Sequence, residues 1–119
     1  MTILLISLIS SMADSPSSFF RSNGFYIHTP PVIPPDLIHR ASLGMDALLS
    51  GVYEKGTPPQ ASHWNPGDDP SKLDKIEMPQ IANRSIHEVI SHPEIGRLAA
   101  DVLGADWVQV WWVQLLHKP

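Results

Sequence analysis

Proline sets the strongest limit on what this chain can fold into. There are 12 prolines in 119 residues, about twice ordinary usage. They cluster at Pro30–Pro35, Pro58–Pro70 and Pro79. Each one fixes φ, removes a backbone donor and biases its predecessor away from helix. Long uninterrupted elements are therefore confined to the windows between clusters. At this length the chain is one domain at most, and its core is marginal if a third of it is loop.

The clearest window is "PPDLIHRASLGMDALLSGVYEKG". Pro35 suits a first helical turn, and Asp36 suits the positive end of the helix dipole. Leu37, Ile38, Ala41, Met45, Leu48, Leu49 and Val52 recur on one face at helical period. The pattern predicts a helix over Asp36–Tyr53, with Gly56 as its stop. A second helix, Pro93–Leu103, carries Ile95, Leu98, Ala99, Val102 and Leu103 on one face, and Gly104 is a natural C′ residue. Ser85 is the expected cap of a short helix over "IHEVIS".

Before these, "FFRSNGFYIH" predicts a short helical end, an Asn23-Gly24 turn and a β-rich run Phe25–His28. Residues Thr57–Asn83 form a long connection rich in Pro, Asp and Gly, of the kind that is often functional or mobile. The chain closes on "VQVWWVQLLHKP". Its composition predicts a strand over Val108–Leu116, lying beside Phe25–His28 with one open edge. Met1 to about Ser18 and much of Thr57–Leu73 are expected to be loosely held. In "MTILLISLISSMADS" the apolar run Ile3–Ile9 has no preceding Lys or Arg and is too short to span a bilayer. It reads as a leader-like segment (residues 1–18) ahead of a domain over 19–119.

Composition removes several classes of function. A net charge of −4 argues against a nucleic-acid surface, which needs clustered Lys and Arg. The absence of cysteine excludes disulfides, thiolate metal sites and cysteine nucleophiles. Six histidines invite a metal reading, and His92-Pro93-Glu94 has a His-x-acid spacing with His117 as a distal partner. That pair straddles a proline at a helix start. His92 is accounted for by capping and Glu94 by the dipole, so no metal ligand is assigned. "GDDPSK", Gly67–Lys72, has too few acidic positions for a calcium loop and reads as a turn.

Alternation along the last strand puts Trp112, Gln114, Leu116 and Lys118 on one face, and Trp111, Val113, Leu115 and His117 on the other. Spacing alone favours an amphipathic strand with a snorkelling lysine. If the first face lines a cavity, Gln114 and Lys118 are the groups that orient a polar ligand, and Trp112 is a wall.

Taken in order, "NGFYI", a helix, "KIEMPQIAN" and "SHPEIGRLAADVLGADWVQVWWVQLLHKP" resemble the N-terminal part of the phytanoyl-CoA dioxygenase family over about Phe19–Pro119. The resemblance implies an α+β chain: an incomplete double-stranded β-helix (jelly-roll, cupin-like) with N-terminal helices and an open strand edge. It implies Fe(II) and 2-oxoglutarate as the cofactors of the full-length family. It carries Lys118, at the Lys-Pro position, and Lys75, in "DKIEMPQ", over as residues that contact 2-oxoglutarate, a role in which an ammonium suits a dicarboxylate. Trp112 and Gln114 become substrate-facing. The family's His-x-Asp…His triad and its cosubstrate arginine follow the Lys-Pro strand. The expectation is thus a fragment or truncated copy with no catalytic residue and no metal ligand of its own, inactive as given, to which neither cofactor binds. The resemblance also implies a small-molecule or acyl-CoA-type substrate, no nucleic-acid or membrane partner, and an intracellular, cytoplasmic setting. The alternative is a non-catalytic interaction protein whose exposed strand edge supports self-association.

Overall fold

The computed structural model describes residues 14–65, 67–69 and 71–118. Their order is α1 (Pro16–Asn23), α2 (Pro35–Leu49), β1 (Ala61–Ser62), β2 (Asp74–Glu77), a 3-10 turn (Pro79–Ile81), α3 (Arg84–Ile90), α4 (Pro93–Leu103) and β3 (Gln114–His117). Met1–Ala13, most of the leader-like segment, lies outside the described residues.

Local chemistry explains the boundaries. Ser15 caps α1 by accepting from the Ser18 N–H at 3.1 Å. Gly24 ends α1 at φ 79°, a conformation in which a side chain is strained. The second helix is shorter than its apolar pattern predicts. It stops at Leu49 because Ser50 leaves helical geometry and Gly51 turns left-handed at φ 74°. Val52 and Tyr53 are left exposed, and Gly51, not Gly56, is the terminator.

The cap of α3 is Asn83 rather than Ser85. Asn83 Oδ1 accepts from the Ile86 N–H at 3.0 Å, and Ser85 falls inside the first turn. The Pro93–Leu103 helix is as its pattern predicts. His92 Nδ1 accepts from the Glu94 N–H at 3.3 Å, Glu94 pairs with Arg97, and Gly104 closes the helix at φ 65°.

The sheet is antiparallel, ordered β1-β2-β3, and among the described residues both outer strands have an open edge. The terminal strand is confined to Gln114–His117, and its neighbour is β2, not Phe25–His28. That run forms no strand. Phe25 and Tyr26 instead stack edge-on against Phe19 at 5.7 and 6.2 Å, and Tyr26 and His28 line a groove with Ile95 and Leu98 of α4. Aromatic packing on the α1–α4 pair takes the surface a strand would have used.

The partner strand comes from the segment that reads as irregular. In β2, Lys75-Ile76-Glu77 alternates polar, apolar, polar, which is the two-residue period of a half-buried strand. Thr57–Leu73 is likewise held in part: β1 pairs with β2, and the Trp64 indole donates to the Leu49 carbonyl at 2.9 Å at the end of α2.

The core is small. Leu48, Ile76, Ala82 and Ile86 are buried together, with Ala41, Leu49 and Leu115 packed against them. Arg40 bridges Asp36 and Glu88 at 2.7 and 3.0 Å and joins α2 to α3. Both partners are exposed, so the bridge fixes orientation more than stability.

Candidate functional site: the polar face of the sheet

Register sorts the side chains of the sheet onto two faces. Directly opposed residues of an antiparallel pair share a face. Ile76 stands opposite Ser62 and Leu115, and this face packs on α2 and α3. On the other face Lys75 pairs with Leu116, and Glu77 with Gln114 and Ala61. His63 follows β1 and donates its backbone N–H to the Lys75 carbonyl at 2.9 Å, which brings its ring to the same face.

Glu77 is the centre of this face. Its Oε1 is 2.7 Å from Lys75 Nζ, 3.5 Å from Gln114 Nε2 and 3.9 Å from His63 Nε2. Only 15% of its side chain is exposed. The Lys75 ammonium holds the Glu77 carboxyl below the usual carboxylate range, against an opposing push from desolvation. His63 and the Trp112 indole add smaller pulls in the same direction.

A carboxyl lowered on folding contributes stability that is present above its unfolded pKa and lost as pH falls through its folded pKa. Glu77→Gln is therefore expected to flatten the acid limb of the stability-against-pH curve while leaving the neutral plateau shape intact. Urea titrations repeated from pH 7 downward would show this. An unchanged acid limb would mean that the pair with Lys75 is not formed in solution.

Of the four residues singled out in the sequence, the sheet brings Lys75, Gln114 and Trp112 together around Glu77. Lys118 lies one residue beyond β3 and is exposed, and alternation assigns it to the same face. Glu77 and His63 escape a sequence reading. The signal for Glu77 is its i, i+2 spacing from Lys75, which becomes a pair only once the segment is recognised as a strand. Nothing in the spacing of His63 points to it.

The fit to the family's cofactors is uneven. No His-x-Asp occurs in the sequence, and among the described residues no three His, Asp or Glu side chains converge as a metal site. For a dicarboxylate the face offers Lys75, but its charge is already matched by Glu77 at 2.7 Å. An incoming carboxylate would have to displace Glu77 or draw on Lys118. No protein-family model, curated protein or solved structure matches the chain.

Proposed function

We propose that this chain is a fragment of a jelly-roll dioxygenase domain of the phytanoyl-CoA type, forming one wall of the barrel. In this reading it supplies a cosubstrate-facing sheet and none of the iron ligands. The observation that carries the reading is the two-faced sheet. One face is sealed by Ile76 and Leu115 against α2 and α3, and the other presents Lys75, Glu77 and Gln114. A barrel wall needs that division, with an apolar outer side under helices and a polar inner side toward the ligand. The order of the motifs from Asn23 to Lys118 supplies the family.

On this reading Lys75 and Lys118 orient a dicarboxylate, Glu77 and Gln114 fix the Lys75 ammonium in place, and Trp112 walls the site. Iron would supply oxygen activation when bound by ligands elsewhere in the domain. The face described here would position the cosubstrate.

Assayed alone with Fe(II) and 2-oxoglutarate, the 119-residue chain is expected to release no succinate above a protein-free control. Turnover would overturn the assignment of iron ligands to residues outside it. The genomic sequence after the Pro119 codon provides the second arm. An in-frame His-x-Asp and a distal His are expected, and a frame carrying neither would overturn the family reading.

A further inference from the structure

The stretch between α4 and β3 has no assigned place in the fold. Strand β2 ends at Glu77, and Met78 swings the chain away at φ 52°. The last link between the two segments is the Met78 N–H to the Val113 carbonyl, at 2.9 Å. Upstream of it, among the described residues, no backbone hydrogen bond joins residues 106–112 to the rest of the chain. Several of their side chains are equally uncovered: Trp107 is 75% exposed, Val110 58% and Trp111 86%, whereas Val108 is half-buried and the Trp112 indole reaches Glu77. Stable folds rarely leave both the peptide groups and the aromatic rings of one segment bare.

We infer that this stretch pairs with its own counterpart in a second copy of the chain, antiparallel across a two-fold axis at Val110. Three features favour a second copy over other occupants. The unmet groups are main-chain donors and acceptors, which a lipid surface or an apolar ligand would leave unsatisfied but a strand satisfies.

From Trp107 to Leu116 the sequence contains no charged residue, and the charges that natural edge strands use to block such pairing are missing. The stretch is also self-complementary about Val110. Val108 falls opposite Trp112, Trp107 opposite Val113, and Gln109 opposite Trp111. Two of these three pairs set an aromatic ring against a β-branched neighbour. Asp106 falls opposite Gln114 of the other copy, so no like charges meet. The open outer edge of β3 continues the same edge, and a two-fold pairing closes on itself instead of propagating.

Sedimentation equilibrium over a range of concentrations tests this on the full chain. The expected result is a monomer–dimer equilibrium with no larger species. Val110→Lys sets two lysines face to face at the axis and should weaken dimerisation roughly tenfold or more. Trp111→Lys should act in the same direction. Leu43→Lys, at an exposed position on α2, should leave the equilibrium unchanged. At concentrations where all four proteins are monomeric, far-UV circular dichroism should be the same for each, since every altered side chain is exposed in the single chain.

A monomer at every concentration would overturn the inference, as would open-ended growth or a dimer indifferent to both lysines. A monomer whose tryptophan emission shifts to the red on deletion of residues 1–13 would overturn it in a specific way, by assigning the stretch to Ile3–Ile9.

Discussion

Replacing Ile76 with alanine is expected to destabilise the chain by about 3–4 kcal/mol, in the range found for truncating a fully buried isoleucine. Ile76 is 1% exposed, the most enclosed large aliphatic residue in the structure. It is also the position through which β2 grips the helices, since Lys75 and Glu77 face the other way. Its side chain meets the cluster of Leu48, Ala82 and Ile86, with Leu115 beside it from β3. A cavity there cannot be filled by collapse, because β2 is held on both sides by backbone ladders.

With so few buried apolar side chains among the described residues, a total stability toward the low end of the ~5–15 kcal/mol usual for domains is expected. The loss would leave a substantial unfolded fraction in water. Urea midpoints for Ile76→Ala against Leu43→Ala check this, the second being an exposed leucine whose truncation should cost no more than about 0.5 kcal/mol. Equal midpoints for the two variants would show that the sheet is not packed on the helices as described.

Helices were the legible part of this chain, and the reason is physical. A 3.6-residue apolar period repeated over eleven or more residues is a redundant signal, and capping residues mark its ends. Pro93–Leu103 carries both. The differences at Gly51 and Asn83 come from two nearby residues of suitable chemistry competing for one role. The sequence offers two glycines after Leu49 and two capping side chains before Ile86, and tertiary context decides between them.

Strands were less legible because their signals are short. Three residues of alternation, Lys75-Ile76-Glu77, set among prolines, carry little weight alone. The aromatic run before Gln114 has high β-propensity, but upstream of Val113 no backbone hydrogen bond pairs it with a strand among the described residues. Propensity described what those residues could do, and the limit of β2 at Glu77 decided how much of it was realised.

The candidate site was half legible for the same reason. Lys75 and Gln114 are polar residues that a sequence reading can name. That they share Glu77 depends on the register of β2 against β3, which is a long-range pairing. The pairing changes their chemistry. A free ammonium and a free amide would make a simple anion cradle, whereas an ammonium bound to a half-buried carboxylate is a pre-matched pair. Any dicarboxylate at this face competes with Glu77 first. Glu77, rather than either lysine alone, therefore sets how strongly this face would attract an anion.

Gly44→Ala is the second large effect, and it runs against helix propensity. An interior helical glycine replaced by alanine normally gains ~1 kcal/mol. Here a Cβ would sit 2.5 Å from Asn83 Oδ1, 2.7 Å from its Cγ and 2.8 Å from its Nδ2. Asn83 is not a flexible surface side chain that can step aside. It is 5% exposed, and its Oδ1 caps α3 by accepting from the Ile86 N–H. Moving it combines overpacking, about 1–3 kcal/mol, with loss of a cap, about 1 kcal/mol. Set against the propensity gain, a net loss of about 2 kcal/mol is expected, read as a fall in thermal midpoint.

The test of the cause is a double-mutant cycle. Asn83→Ala alone should destabilise by about 1–2 kcal/mol through the lost cap. In that background the space beside residue 44 is open, and Gly44→Ala should turn neutral or stabilising. If Gly44→Ala cost the same with and without the Asn83 side chain, the close approach of α2 to the start of α3 would not be what requires glycine at this position.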